Sequence, residues 1–214
     1  MPPTISQTVE AQDLRISQGK RQILCTHTLG FSAGEVWHLI GPNGAGKTSL
    51  LRALAGELPF QGTLTIAGCP PGTLPARRVT AFLPTDAPLL DDLTVAGNLS
   101  FMAAAWSRPL GPLLALAGQM GLDDWQGDWP VTLSRGTRQK VALAAGLGLG
   151  LPLTLLDEPF ATLDIASRAV LTEAIRARAS GGGTVIVTTH GAELLDVPHR
   201  RLEIVAGRLK TGTA

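Results

Sequence analysis

Two clusters in this chain have the residue types and spacing of a phosphate-handling site. The first is Gly41-Pro42-Asn43-Gly44-Ala45-Gly46-Lys47-Thr48-Ser49, a G-x-x-x-x-G-K-T loop set between the apolar run "VWHLI" and the helix-like "SLLRALAG". Closely spaced glycines let successive backbone N–H groups turn to one side and surround the oxygens of β- and γ-phosphates. A helix beginning at Lys47 aims its positive end at the same oxygens. Lys47 adds a full charge, and the Thr48 hydroxyl is a hard oxygen ligand for Mg²⁺. The second cluster closes "LTLLDEPF", where a mainly apolar run, Leu153 to Leu156, leads into Asp157 and Glu158 before Pro159. An acid at the C-terminal end of a buried parallel strand stands beside the loop that leaves a neighbouring strand. Asp157 can hold Mg²⁺ directly or through water, and Glu158 can polarise an attacking water as general base. "TVIVTTH" ends another apolar run, which should bring His190 to the same edge as a γ-phosphate contact.

A third stretch, "LSRGTRQKVALAAG" at 133–146, starts as a helix with a small hydroxyl, Ser134, and a glycine, Gly136. A hydroxyl, a free N–H and a helix dipole together make an anion site. A chain with one complete phosphate loop has no evident use for a second within the same site.

The elements that must position these residues follow from apolar periodicity. Residues 8–40 alternate short apolar stretches with turns and predict antiparallel strands followed by a buried strand. A helix from Lys47 ends at Gly56, strands are expected at 62–68 and 78–84 around a loop, and 94 to about 120 is helical in two pieces parted by Pro109 and Pro112. Beyond the 133–146 helix come a strand into Asp157, a helix from Asp164, a strand into His190, a short helix "AELLD" and a terminal hairpin "RRLEIVAGRL". Strands alternating with helices predict an α/β fold with a mainly parallel sheet, an N-terminal antiparallel β-part, and a helical subdomain at 94–150 inside a single domain, 1–214.

Composition narrows the function classes. The 214 residues are enough for one large domain and a proper core. Charged residues make up 16%, against roughly 25% in an average protein; a partner-covered surface or a compositional bias would each produce this. The net charge of +1 carries no basic stripe for nucleic acid. Cys25 and Cys69 form no CxxC pair, as expected of reduced thiols without structural zinc. The N-terminal residues have no apolar core of a signal peptide. The 16-residue apolar run at 141–156 holds three glycines and Pro152, which suits a buried helix, a turn and a buried strand better than a membrane span of roughly 20 residues.

In order and approximate spacing, GPNGAGKT, LSRGT, LLDEP, ATLD and TTH resemble the nucleotide-binding subunits of ABC transporters, over about 9–207. The resemblance implies an ATPase that uses ATP and Mg²⁺ and pairs head to tail as a homodimer. Ser134 and Gly136 would close over the γ-phosphate held by the partner copy's loop, and Ala161-Thr162-Leu163-Asp164 would lie across the same interface. It also implies a separate integral membrane permease, a peripheral position on the cytoplasmic face of the cell membrane, and no nucleic-acid partner. "LTVAGNLSFMAAAW" resembles exporter ATPases of the ABC-2 type, and "LDEPFATLD" with "GGGTVIVTTHGAELL" the haem-exporter ATPase of cytochrome c biogenesis.

Three positions depart from the family pattern. Its adenine-stacking aromatic falls near Gln18 in a chain without tyrosine, so base discrimination is weak or Trp37 or another group substitutes. Its Q-loop glutamine falls at Thr85, where a bridging water or Asp86 would have to act. Its signature glutamine is Thr137. Two other readings fit parts of the sequence: a soluble ABC-type ATPase acting on ribosomes or DNA, and a nucleotide-dependent binding module with little turnover.

Overall fold

The computed structural model describes residues 7–19, 21–86, 88–189 and 196–212. One nine-stranded sheet organises the chain. Its strands are β1 (Gln7–Gln18), β2 (Arg21–Ser32), β3 (Val36–Ile40), β4 (Phe60–Ile66), β5 (Thr80–Leu83), β6 (Leu153–Leu156), β7 (Thr184–Thr188), β8 (Arg200–Val205) and β9 (Arg208–Gly212), in the spatial order β4-β1-β2-β9-β8-β3-β7-β6-β5. The five strands from β8 to β5 are parallel. β4, β1 and β2 are antiparallel, as is the hairpin β8–β9. The α/β class and the N-terminal antiparallel part are therefore as the sequence predicts. The sequence reading does not anticipate that β9 bridges the two parts, meeting β2 through the single pair Cys25–Arg208.

The helices are α1 (Lys47–Leu54), α2 (Leu74–Arg77), α3 (Val95–Ala105), α4 (Gly111–Gln119), α5 (Arg135–Gly148) and α6 (Ile165–Ser180). α2 falls where the sequence suggests only a loop, and β4 begins two residues before the predicted strand. Caps set the helix starts. The side chains of Thr94, Ser134 and Asp164 accept from the backbone N–H three residues on, each contributing about 1 kcal/mol. The expected helix "AELLD" lies almost wholly outside the described residues.

Alternation along the central strands divides the core. Val185 and Val187 of β7 pack on the side of α3–α6, whereas Ile186 faces α1 and the antiparallel strands. Both faces of the parallel strands are covered, so β6 and β7 are buried along their whole length.

A buried histidine makes this core sensitive to acid. His38 of β3 is 3% exposed, its Nε2 lies 2.7 Å from Thr189 Oγ1, and its ring meets that of His199 edge-on at 5.2 Å. Burial, with the nearby charges of His199 and Arg201, lowers its pKa from 6.5 to about 4. Between those values the unfolded chain binds more protons than the folded one. The stabilisation is thus complete above pH 6.5 and lost as pH falls to about 4, a change on the order of 3 kcal/mol. His38→Gln should flatten the drop in melting temperature between pH 7 and pH 4.5. An unchanged drop would remove His38 from the acid response.

Candidate functional site

The phosphate loop leaves the C-terminal end of β3 and runs into α1. Gly46 caps that helix at φ +106°, and a Cβ there would stand 2.6 Å from Ile23 Cγ2, so only glycine fits. Lys47 is 6% exposed, and its Nζ donates to the carbonyls of Gly41 (2.8 Å) and Pro42 (3.5 Å). The ammonium is thereby held against the start of the loop. Pro42 to Ser49, together with Gln18, Ile23 and Glu158, line a cleft of about 310 Å³. A larger recess of about 730 Å³ lies among β1, β2, β8 and β9 and includes none of the loop residues.

Asp157 and Glu158 follow β6, two strands from β3. Asp157 is buried and bridges two threonines. Thr48 Oγ1 donates to its Oδ2 at 2.8 Å, and Thr188 Oγ1 donates to its Oδ1 at 2.7 Å. The Thr188 hydroxyl also accepts the Glu158 N–H at 2.9 Å. Glu158 takes a left-handed backbone, φ +50°, at a cost of about 1 kcal/mol for a residue with a Cβ. The side chain so turned lines the phosphate-loop cleft rather than continuing the strand.

Thr188 is a site residue that the sequence reading does not single out. The signal in the sequence is a hydroxyl residue closing the apolar run Val185–Val187, and the structure buries it fully. Thr188→Val keeps the shape and strands two polar groups, Asp157 Oδ1 and the Glu158 N–H. The expected outcome is a loss of about 1–3 kcal/mol in stability and a fall in kcat of about tenfold with KM little changed, with recovery in Thr188→Ser. A valine variant that turns over at the parent rate would exclude this positioning role.

The structure gathers Gly41 to Ser49, Asp157 and Glu158 into one place. It does not bring Ser134 or Gly136 there; neither lines the cleft of its own chain's loop. Ser134 is exposed at the start of α5, where its Oγ caps the Thr137 N–H at 3.1 Å and lies 2.8 Å from Thr137 Oγ1. Gly136 packs against the carbonyl of Thr162, which a Cβ would approach to 2.9 Å. Lys140 of α5 pairs with Asp164 at 2.6 Å, and this bond, with the Ser167 N–H, holds the Asp164 carboxyl far below the usual range. The 133–137 and 161–164 segments therefore form one joined surface. His190 lies outside the described residues.

The departures from the family pattern also find places. Trp37 is 4% exposed at the start of β3, with its Nε1–H on Glu35 (2.8 Å), so it cannot serve a base beside the loop. No aromatic side chain among the described residues lines the phosphate-loop cleft. Thr85 donates to the backbone carbonyl of Asp157 at 3.3 Å. Asp86 is committed to Arg135 at the start of α5, at 2.8 and 3.0 Å.

Comparison with known proteins agrees with this geometry. A family model described as "ABC transporter" matches residues 24–161. A hemin import ATP-binding protein of Roseobacter denitrificans is 37% identical over 94% of this chain and 82% of its own length. A cytochrome c biogenesis ATP-binding export protein of Xanthomonas axonopodis pv. citri is 36% identical over 89% of this chain and 88% of its own length. Among solved structures, one described as an ATP-binding subunit of an ABC transporter superposes with a TM-score of 0.85 and 26% identity, covering 96% of this chain and 90% of that one. Relatives this similar over nearly the whole chain leave one conclusion: the chain belongs to the ABC transporter family, as an ATP-binding subunit that hydrolyses ATP.

Proposed function

We propose that the chain is the motor of an exporter, that two copies pair head to tail around ATP, and that the pair drives a separate membrane-embedded permease. The observation that carries this reading is that Ser134 and Gly136 do not line the cleft of their own chain's phosphate loop; the node at Asp157, which ties Thr48 to Thr188 and, through Thr188, to the backbone of Glu158, supports the hydrolysis that drives it. In it, Gly41, Pro42, Asn43, Gly44, Ala45, Gly46, Lys47, Thr48 and Ser49 cradle the phosphates. Thr48 and Asp157 would hold Mg²⁺. Their oxygens are 2.8 Å apart, close to the roughly 3 Å between adjacent ligands of an octahedral ion with bonds of about 2.1 Å. A hydroxyl and a carboxylate are the hard oxygen donors that this ion takes. Bound there, Mg²⁺ supplies positive charge against the phosphate oxygens. Glu158 orients the attacking water and takes its proton, and His190 contacts the γ-phosphate.

Ser134 and Gly136 serve the partner copy's nucleotide, a role supported by their absence from the lining of their own chain's cleft. ATP then bridges the two copies, and its hydrolysis releases them. The surface shared by α5 and the 161–164 segment moves as one body across that interface.

Residues 94–150 form the helical subdomain that docks on the permease. Phe101 (49% exposed) and Leu90 (45%) stand beside an apolar cleft of about 280 Å³ lined by Pro84, Pro88, Met102 and Trp106. No helix among the described residues is long and apolar enough to cross a membrane. The chain sits on the inner face of the cell membrane by association with the permease.

The similarity to the cytochrome c biogenesis export protein, over 88% of that protein's length, supports export, while the similarity to the hemin import protein, at 37% identity, supports the opposite direction; a transport assay separates them. Haem is the first cargo to test. Inside-out vesicles holding the chain and its permease should accumulate haem when ATP is added outside; ATP-driven loss of preloaded haem would mean import. Base selectivity follows from the cleft walls. With Gln18 and Ile23 in place of an aromatic, kcat/KM for GTP should lie within about fivefold of that for ATP. Gln18→Tyr should lower KM for both by roughly tenfold, the scale of one base–aromatic stack. A strong preference for ATP in the parent chain would show that another group reads the base.

A further inference from the structure

The turn between α3 and α4 and the ends of α5 and α6 enclose a cleft of about 570 Å³ that shares no residue with the phosphate loop. Two guanidinium groups line it, Arg108 from the turn and Arg178 from α6. Neither has an ion-pair partner among the described residues. Arg178 Nε is buried without a hydrogen-bond partner. Its side chain lies across Gly183, where a Cβ would collide with the guanidinium, so the group is packed in place. Burial and the charge of Arg108 lower the Arg178 pKa from its ordinary value. The carboxylate on the cleft wall, Glu173, is bonded to Arg176. Arg178 also occupies the last turn of α6, where a cation suits the helix dipole. That accounts for one arginine, but not for a second on the same cleft.

Two like charges, one of them partly desolvated, make a position that an oxyanion stabilises, and the planar fork of arginine suits carboxylate and phosphate oxygens. The rest of the wall is largely apolar, and the volume falls within the range of about 300–1,000 Å³ typical of small-molecule sites. We propose that this cleft binds a small amphiphilic anion, its carboxylate or phosphate group held between Arg108 and Arg178 and its apolar part against Pro109, Pro112, Leu116 and Ala174. The occupant ties the α3–α4 turn to α6.

The test follows the side-chain Nε–H resonances of ¹⁵N-arginine-labelled full-length chain, with MgADP saturating the phosphate loop. Octyl phosphate and octanoate are titrated below their micellar concentrations, with octanol as the uncharged control. The Arg178 signal is assigned by its loss in Arg178→Lys. The expected result is a saturable shift of that signal with at least one anionic probe, none with octanol, and affinity weakened about tenfold or more in Arg108→Ala. The tighter of the two probes names the headgroup. Arg108 is exposed, so its truncation leaves the fold intact. A shift that only grows linearly with probe, an equal response to octanol, or an unchanged titration in Arg108→Ala would each overturn the proposal.

Discussion

Replacing Glu158 by glutamine should lower steady-state ATP turnover by about 10²–10⁴-fold while leaving nucleotide binding intact, the range expected when a general base is lost. The substitution removes a proton acceptor and little else. The Glu158 side chain lines the phosphate-loop cleft, and its backbone is fixed by the N–H bond to Thr188 Oγ1 at 2.9 Å, which the glutamine retains. The left-handed φ of +50° is equally available to both residues. A loss of activity would therefore report chemistry rather than a displaced loop. Turnover within a few fold of the parent would move the base elsewhere, with His190 the next residue to test.

Lys47→Ala should do the reverse, weakening MgATP binding by roughly 2–3 kcal/mol, or about 30–150-fold, the scale of a charge-assisted hydrogen bond in a desolvated site. Lys47 is 6% exposed and, among the described residues, bonds only to backbone carbonyls of its own loop, at 2.8 and 3.5 Å. No acidic partner among the described residues neutralises its charge, which leaves it available to phosphate oxygens. Lys47→Arg should not rescue, because the planar fork is too large for a position enclosed by the turn at Gly41 and Pro42. Equilibrium binding of a fluorescent ATP analogue measures the loss directly. Parent-like affinity in the alanine variant would mean that the backbone N–H groups of the loop suffice.

The fold and site were legible wherever the determinant is local. The G-x-x-x-x-G-K-T spacing sets its own turn and helix start, and the mainly apolar run Leu153–Leu156 before Asp157 specifies a buried strand with an acid at its end. Ser134 and Asp164 announce their helices by capping chemistry. What sequence could not supply is long-range partnership. Thr188 meets Asp157 across 31 residues, Asp86 meets Arg135 across 49, and β9 joins β2 through one pair between Cys25 and Arg208. Each depends on strand order, which local periodicity does not encode. Trp37 could be considered for the base because its type suits stacking; only its placement at the far end of β3, bonded to Glu35, removes it.

The separation of Ser134 and Gly136 from their own phosphate loop is the feature on which the transport reading turns. Sedimentation of the Glu158→Gln chain with and without MgATP tests it most directly, since blocked hydrolysis should trap the closed pair. The account predicts a monomer without nucleotide and a dimer with MgATP, and no dimer when Gly136→Val is added, because that side chain would strike the Thr162 carbonyl. A Glu158→Gln chain that binds MgATP and remains monomeric would contradict a nucleotide shared between two copies of this chain.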